Sequence, residues 1–368
     1  MQIALPLVSV VISNFNYGRF LRDAIESVRA QTYEAVECIV VDDASTDDSA
    51  VVLDALAVEW PDLVVLRHAT NAGQGAASAT GFAASRGHYV VFMDADDLLF
   101  PEFVATHVYV HLSARRHPGL TSSDVVQVVD GRAVLTTGQA LNDRLMEDRL
   151  AGAGSGGPPG HAFRPLARAP AGPWTLPGPA PALLDDLVSV PPGQVRWCWS
   201  PGTANMFRRD AVALFADAPE LAATRIGSDA FLCIAVGHRC GGVLIDRALS
   251  VYRIHGGNVG TAHPQLANVR CMKPDSEPSD AVVAALIELY TREAVAMVPR
   301  FWSVESYTGL LERLDTHLAG GGRRDTLAAA LARNRAAVVQ ALGPERLATW
   351  TTKRRKRWFK RWLRRRRT

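Results

Sequence analysis

The sequence lacks a long apolar run and contains little cysteine. No stretch of its 368 residues reaches the ~18 apolar residues expected of a membrane-spanning helix. The five cysteines are an odd number and form no Cys-x-x-Cys pair, which disfavours a zinc site or disulfide scaffold and favours a reducing cytoplasm. No basic segment precedes the first apolar stretch, so we expect no signal peptide.

Acidic residues are missing from one end of the chain. Residues 353–368 hold 11 of the 40 lysines and arginines and no acid, so the other 29 basic and 37 acidic residues give the body a net charge of −8. The chain's net charge of +3 therefore belongs to its tail. A hydrophobic content of 48% and a charged content of 21% are ordinary for a globular protein, and the length suits one large domain with additions.

Apolar runs alternate with amphipathic segments in the first hundred residues. Strands are predicted around residues 8–12, 38–41, 63–66 and 88–93, with helices between them. The first helix places Leu21, Ala24, Ile25 and Val28 on one face. Continuous apolar strands joined by helices indicate an α/β fold whose mostly parallel sheet is covered on both faces.

Polar clusters follow the predicted strands at 13–17, 42–43, 71–75 and 94–97. Ligands of parallel sheets bind outside the carboxyl ends of the strands, so these clusters are expected to share one rim. The last cluster, Asp94-Ala95-Asp96-Asp97, directly follows a buried strand. Its carboxylates suit a hard divalent ion that could clamp the phosphates of a nucleotide.

Taken in order, these motifs resemble glycosyltransferase family 2, whose members are inverting nucleotide-sugar transferases. The matching stretches are Val8–Asn16, Glu26–Tyr33, Val40–Asp47, Asn71–Gly73 and Val91–Asp97 over about the first 115 residues, then Gly227–Asp229 and Tyr252–Asn258. The resemblance implies a GT-A fold, which is a Rossmann-like, mostly parallel central sheet flanked by helices. A C-terminal helical extension is expected from the apolar stripes after Ser279.

The resemblance also implies a nucleotide-sugar donor, with a UDP-sugar favoured, and Mg²⁺ or Mn²⁺ as cofactor. Asp96 is the expected metal ligand, and His255 is expected to touch the metal or the diphosphate. Asp43 would accept the imino hydrogen of uracil, and the ring of Phe15 would stack on the base. The expected donor-binding set is Ser13, Phe15, Asp43, Asn71, Gln74, Asp94, Ala95 and Asp96.

Asp229 is the candidate general base. In an inverting transfer one carboxylate takes the proton of the acceptor hydroxyl as that oxygen attacks the anomeric carbon. The alternative is that Asp229 caps the helix that follows it. The expected acceptor is a saccharide hydroxyl, with lipid-linked and polymeric acceptors among the options, in cell-surface polysaccharide or glycoconjugate synthesis.

The chain is expected to divide into four parts. A nucleotide-sugar-binding half spans residues 1–118, and an acceptor-binding half spans 119–262. The second half includes an insertion at 151–193 with 8 glycines and 10 prolines, too many for regular structure. A helical extension at 263–349 and a basic amphipathic tail at 350–368 complete the chain.

The basic tail places its apolar side chains together. Trp358, Phe359, Trp362 and Leu363 are spaced to share one face of a helix, with lysine and arginine elsewhere, as in helices that lie on anionic lipid. We therefore expect a cytoplasmic protein attached peripherally to the inner face of the cell membrane. Nucleic-acid binding and a merely solubilising role remain alternatives, and no nucleic-acid partner is expected.

Two other functions remain open. A nucleotidyltransferase can share a GT-A-like sheet, but it needs a Gly-rich, basic loop after the first strand, where this chain has residues 13–17. A non-enzymatic membrane- or nucleic-acid-binding protein with a degenerate transferase domain is the other alternative. The presence of every expected acidic and histidine site residue disfavours it.

Several local expectations can be compared with the structure. Asp130-Gly131 predicts a β-hairpin between flanking strands. His107 and His111 are expected on an ordinary helix surface. Trp197 and Trp199 could either stack on a sugar or pack in the core, and a helix is considered for residues 182–190.

Overall fold

Apolar, β-branched runs form a mixed sheet in the first of two units. The computed structural model describes residues 4–135, 183, 187–193, 198–200, 202–258, 279–319 and 326–365. The units are Met1–Pro278 and Ser279–Thr368. The strands of the first unit are β1 Val8–Asn14, β2 Val36–Asp42, β3 Val64–Arg67, β4 Tyr89–Asp94, β5 Leu98–Leu99, β6 Leu120–Val129, β7 Arg132–Leu135, β8 Leu187–Val190, β9 Asn205–Arg208 and β10 Gly242–Ile254.

The sheet has the strand order β3-β2-β1-β4-β9-β6-β10-β5, with β7 beside β6 and β8 beside β10. Strands β3, β2, β1 and β4 are mutually parallel, and β6 is parallel to β10. Strand β9 is antiparallel to both of its neighbours and joins the two parallel sets. The carboxyl ends of β1, β2 and β4 therefore lie at one edge, as predicted.

Helices cover this sheet. They are α1 Gly18–Arg29, α2 Ser49–Glu59, α3 Gln74–Ala84, α4 Phe103–Ser113, α5 Arg209–Val212, α6 Pro219–Ala222 and α7 Ser228–Cys240. The predicted face of α1 is buried, since Leu21, Ala24, Ile25 and Val28 are 0–2% exposed. The expected fold class, a mostly parallel sheet flanked by helices with further helices at the C-terminus, is confirmed.

The predicted hairpin is confirmed, because β6 and β7 pair antiparallel around Asp130 and Gly131. Both turn residues have positive φ, 47° and 74°, which Asp-Gly turns accommodate. The helix considered for residues 182–190 is wrong over residues 187–190. Residues 187–190 form β8, because Leu187 and Val190 are buried and the segment completes a sheet edge beside β10.

The two helix histidines lie in the core, so the expected surface position is wrong. His107 is 0% and His111 4% exposed. Nearly every residue of α4 is buried, so this helix has no solvent-exposed face on which the histidines could lie. The His107 ring lies against Phe103 and its Nδ1 bonds the Thr121 hydroxyl at 2.7 Å. The Nε2–H of His111 donates to the Met206 carbonyl at 3.3 Å.

Trp199 packs in the core, while Trp197 lies outside the described residues. Trp199 is 2% exposed, and a Cβ at Gly237 or Gly242 would come within 2.5 Å of its ring. Of the two roles left open for Trp199, packing is therefore the one seen. The glycines are needed because only a hydrogen fits beside the indole.

The second unit is helical, as expected. Its helices are α8 Ser279–Arg292, α9 Ala294–Met297, α10 Val304–Ala319, α11 Thr326–Arg333, α12 Arg335–Leu342 and α13 Pro344–Arg365. Within this unit, Trp350 donates to Glu312 at 2.8 Å and Arg354 pairs with Asp315 at 2.6 Å. The first half of α13 thus packs on α10.

Parts of the predicted domain division cannot be compared with the fold. Residues 151–182 and 184–186 of the Pro/Gly-rich region and the expected boundary at 262/263 lie outside the described residues. The predicted boundaries therefore stay predictions. Among the described residues, no helix is both long and apolar enough to cross a membrane.

The buried histidines predict acid sensitivity. Burial lowers the pKa of His111 to about 3 and that of His107 well below its usual range. The folded state then binds fewer protons than the unfolded state, so stability falls as the pH drops below about 6.5. His111→Gln keeps a donor for Met206 and cannot titrate. Its free energy of unfolding should fall by about 2 kcal/mol less than that of the wild type between pH 7.5 and pH 5.

Urea unfolding at the two pH values measures this difference. His117→Gln, at an exposed position just after α4, is the matched control and should keep the wild-type pH dependence. An unchanged pH dependence in His111→Gln would contradict the account.

Candidate active site

Three carboxylates cluster where β4 ends. The N–H of Asp97 donates to the Asp94 carbonyl at 3.1 Å and closes a tight turn. Asp94, Asp96 and Asp97 each offer an oxygen, and these oxygens lie within 4.8 Å of one another. Asp96 and Asp97 are 7% and 2% exposed, whereas Asp94 is partly exposed. Strand β4 therefore delivers an acidic loop to the expected rim.

Hydrogen bonds from distant segments hold the acidic loop. The Thr203 hydroxyl donates to Asp97 at 2.6 Å and accepts from the Asp94 N–H at 3.1 Å. The Arg253 N–H donates to Asp97 at 3.3 Å, and the Arg253 guanidinium donates to the Asp96 carbonyl. The buried carboxylate of Asp97 thus binds both of these distant segments.

Mutual repulsion and burial raise the proton affinity of this loop. Withdrawal from water, then the charges of Asp96 and Asp229, raises the pKa of Asp94 to about 8. Burial, then the charges of Asp96 and Asp94, raises the pKa of Asp97. Like charges this close favour a proton or a cation among them.

His255 faces Asp96 from the end of β10. Its Nε2 lies 3.0 Å from Asp96 Oδ2, and its Nδ1 accepts from the Gly257 N–H at 3.2 Å. Buried Asn258 accepts from the His255 N–H and donates to the Arg253 carbonyl at 2.8 Å. The loop is thereby folded back so that the imidazole meets the carboxylate.

Tyr17 closes the other side of His255. Its ring meets the imidazole edge-on at 5.5 Å between centroids, and its hydroxyl donates to the Gly257 carbonyl at 3.3 Å. Burial, followed by the charge of Asp96, raises the pKa of Tyr17. The phenol therefore stays protonated and remains a donor.

Asp229 lies in the first turn of α7, across from the acidic loop. The helix begins after Gly227, which is the N-cap residue at φ 82°, so Asp229 is not itself the N-cap. Its Oδ2 accepts from the Gly202 N–H at 3.1 Å, and burial raises its pKa. A Cβ on Gly202 would lie 3.4 Å from Asp229 Cβ and 3.5 Å from Asp94 Oδ2, which places this glycine between the two acids.

Asp43 is occupied by the protein itself. Its carboxylate accepts from His68 Nδ1 at 2.7 Å, from the Ala72 N–H at 2.8 Å and from the Gly73 N–H at 2.7 Å. Asn71 accepts from the Arg225 guanidinium. Asp43 thus shapes the loop before α3, and about one of its roughly four acceptor positions is left for a ligand.

The remaining expected donor-binding residues lie on the same rim. Ser13 is level with Asp94 in the β1–β4 pairing, and Phe15, 43% exposed, follows the end of β1. Ala95 is buried within the acidic loop. Gln74 contacts Asp94, with Nε2 donating to Oδ1 at 2.6 Å. Their roles stay predictions, although the fold brings them to one edge.

Four contributors were missed by sequence reasoning as site residues: Tyr17, His68, Gly202 and Thr203. Tyr17 was visible as the last residue of a rim cluster. Gly202 and Thr203 reach the acidic loop only because tertiary pairing brings strand β9 and its preceding turn beside it. His68 follows β3 and meets Asp43 because β3 pairs with β2.

The acidic loop fits a divalent cation. Carboxylate oxygens are the ligands that Mg²⁺ and Mn²⁺ prefer, and three of them converge here. Burial, then the charges of Asp96 and Asp229, raises the pKa of Asp94, and a bound cation would offset both effects. Asp96 and its neighbours in the loop are therefore suitable ligands for a divalent metal ion.

The chain is similar in sequence to known and inferred glycosyltransferases. Residues 9–115 match the model of the family described as Glycosyl transferase family 2. The uncharacterized glycosyltransferase alr2836 of Nostoc sp. is 32% identical over 254 residues, which cover 68% of this chain and 66% of that protein. Glycosyltransferase GlyG of Streptococcus pneumoniae is 33% identical over 100 residues, which cover 27% of this chain and 33% of that protein. The chain spans less than two thirds of the length of either relative.

Among solved structures, the fold is similar to S. aureus TarS 1–349 in complex with UDP-GlcNAc. The TM-score is 0.48 and the sequence identity 15%, and the alignment covers 90% of this chain and 81% of that chain.

Asp94→Asn should stabilise the protein in a pH-dependent way. The raised pKa means that the folded state loses stability as the pH rises from about 4 through about 8. The amide removes this loss and can still accept from Gln74. In chelator, its melting temperature should exceed that of the wild type near pH 8 but not near pH 5.

Thermal unfolding with and without Mn²⁺ completes the test. Added Mn²⁺ should stabilise the wild type near pH 8 more than it stabilises Asp94→Asn. Exposed Asp62→Asn is the control and should follow the wild type throughout. A lower melting temperature for Asp94→Asn at both pH values would refute the repulsion argument.

Proposed function

The chain belongs to glycosyltransferase family 2 through its N-terminal domain, and on that premise we propose a metal-dependent, inverting transferase. It would move a sugar from a nucleotide-sugar, with a UDP-sugar favoured, to a hydroxyl of a saccharide. The reaction is of the hexosyltransferase type and would serve cell-surface polysaccharide or glycoconjugate synthesis.

One observation carries the proposal: a partly buried carboxylate, Asp229, faces a cluster of three others across Gly202. Transfer from a nucleotide-sugar needs one group to take a proton from the acceptor and another to stabilise a leaving diphosphate. The two acidic elements divide these tasks. The acidic loop suits the leaving-group side, and Asp229 suits the acceptor side.

Asp96 would hold Mg²⁺ or Mn²⁺, with His255 at the metal or the diphosphate and Asp94 at the ribose or the ion. When bound, such an ion neutralises charge that develops on the leaving diphosphate. His255 is oriented for this position by Asn258 and the Gly257 N–H. Tyr17 and Arg253 complete the wall around it.

Asp229 would remove the proton from the acceptor hydroxyl. The oxygen then forms a bond to the anomeric carbon as the bond from that carbon to the diphosphate breaks, which inverts the configuration. Burial raises the pKa of Asp229 and so makes its carboxylate a stronger base. The Gly202 N–H holds one carboxylate oxygen, and a carboxylate has about four acceptor positions, so capacity remains for the acceptor hydroxyl.

The nucleoside would lie along the ends of β1, β2 and β4. Phe15 offers an exposed ring there for stacking on the base, and Ser13 lies beside Asp94. Asp43 has acceptor capacity for one imino hydrogen in addition to its three internal hydrogen bonds. Asn71 and Ala95 complete the expected donor contacts.

The basic tail would bind the anionic surface of a membrane. Helix α13 continues from its packed first half to Arg365, so the apolar and basic residues of 353–365 lie on one helix. Each basic residue close to such a surface adds about 1 kcal/mol. The protein would then work at the cytoplasmic face of the membrane, next to a lipid-linked or polymeric acceptor.

Asp229→Asn should abolish transfer and leave nucleotide binding nearly unchanged. The amide keeps the size and the hydrogen bond from Gly202, but it cannot accept the proton. We expect the turnover number to fall at least about a hundredfold, as for loss of a general base. Turnover with the preferred donor and calorimetric titration with UDP measure the two quantities.

Exposed Asp217→Asn, elsewhere in the same half of the domain, is the matched control. Turnover above a few per cent in Asp229→Asn would show that Asp229 is not the base. A loss of UDP affinity together with turnover would point to a donor-binding role instead.

Deletion of residues 353–368 tests the membrane proposal. The full chain should float with liposomes that contain anionic lipid and remain unbound with neutral liposomes, whereas the truncated chain should bind neither. Flotation in high salt should decrease, because the attraction is largely electrostatic. Equal flotation of both chains would rule the proposal out.

A further inference from the structure

Gln74 joins the two acidic elements of the site. It is the first residue of α3, and its amide nitrogen donates to Asp94 Oδ1 at 2.6 Å. Its amide oxygen accepts from the N–H groups of Gly227 at 2.8 Å and Ser228 at 3.2 Å. One side chain therefore links the carboxylate at the end of β4 to the helix that carries Asp229.

The backbone around Gln74 is fixed as firmly as its side chain. The Gln74 N–H donates to the Arg225 carbonyl at 3.0 Å, and the Gly75 N–H donates to the Thr224 carbonyl at 2.8 Å. A Cβ on Gly75 would lie 1.9 Å from the Leu221 carbonyl oxygen. The loop before α3 and the segment before α7 thus touch along their backbones, which leaves the side chain little freedom.

The amide of Gln74 meets two needs at this position. The Asp94 carboxylate requires a donor, and the first N–H groups of α7 require an acceptor because they have no partner within the helix. Gly227, at the N-cap, has no side chain with which to supply one. Gln74 provides both from a neighbouring helix, whereas glutamate would repel Asp94 and lysine would leave α7 uncapped.

The hydrogen bonds of Gln74 act against the electrostatic repulsion between Asp94 and Asp229. Asp94 and Asp229 face each other across Gly202, and they repel each other whenever both carboxylates are ionised. Without a tie, the N-terminus of α7 and the end of β4 would be free to move apart. A shift of about 1 Å in a reacting group can cost about a hundredfold in rate.

We propose that Gln74 is a positioning residue, which holds Asp94 and the N-terminus of α7 in register and does not contact the donor. Its amide oxygen has both acceptor positions filled by the N–H groups of Gly227 and Ser228, and its amide nitrogen is bound to Asp94. These internal contacts account for the side chain better than the donor contact that the sequence suggested. The inference rests on the proposed transfer reaction. Gln74 would then affect activation of the acceptor by Asp229 without contacting the donor or the acceptor.

The test replaces Gln74 by methionine, which keeps the length of the side chain and removes the donor and the acceptor. Gln31→Met is the matched control. Gln31 also makes three hydrogen bonds, donating to the carbonyls of Ser27 at 3.0 Å and Phe100 at 2.9 Å and accepting from the Val104 N–H at 3.0 Å. It ties α1 to the start of α4 and to the segment before it, and it makes none of its three hydrogen bonds to an acidic side chain.

Steady-state kinetics distinguish positioning from donor binding. Gln74→Met should lower kcat about 30-fold or more with a donor KM within about threefold of the wild type, whereas Gln31→Met should leave kcat within about threefold. An unchanged kcat in Gln74→Met would overturn the proposal. So would a raised donor KM at unchanged kcat, which would make Gln74 a donor contact.

Hydrogen exchange tests the link without any assay of activity. Amides of residues 227–232 should exchange at least about tenfold faster in Gln74→Met than in the wild type or in Gln31→Met. Equal exchange in all three proteins would overturn the proposal. If the wild type transferred no sugar from any donor, the proposed function would fail, and the exchange result would still judge whether Gln74 holds α7.

Discussion

The site depends on the confinement of negative charge at the end of β4. Asp94, Asp96 and Asp97 lie within a few ångströms of one another, and Asp229 adds a fourth charge from α7. Such a cluster persists only if other segments hold it. Thr203, Arg253 and His255 provide the hydrogen bonds, and they arrive from β9 and β10, far along the chain. The mixed half of the sheet is thus what keeps the acidic loop of the parallel half in place.

Much of the parallel half could be predicted from sequence. Continuous apolar strands, the α1 stripe and the Asp-Gly hairpin are local patterns, and each was found where expected. The position of His107 and His111 was missed, because a helix buried on nearly all sides has no polar face to reveal its surroundings. Strand β8 was missed because its pairing with β10 outweighs weak local preferences.

In the site, too, residues in local motifs could be predicted and residues placed by tertiary pairing could not. Asp94–Asp97, Asp229 and His255 could be identified because they stand in short motifs. Thr203 and Gly202 could not, since their importance comes from a turn that tertiary pairing brings beside the acids. Gln74 was found for its place on the rim, yet its contacts indicate a different role from the one suggested by position. Sequence identifies which groups carry the chemistry, while the structure shows which contacts hold those groups in place.

The most direct test of the account is release of free nucleotide from a panel of UDP-, GDP- and dTDP-sugars, with and without Mn²⁺. The account predicts that one donor, favoured to be a UDP-sugar, is slowly hydrolysed only when the metal is present, and that Asp96→Asn abolishes this release. No release from any donor, or release at the same rate in chelator, would contradict the claim that the acidic loop is the metal-dependent centre of a sugar transfer.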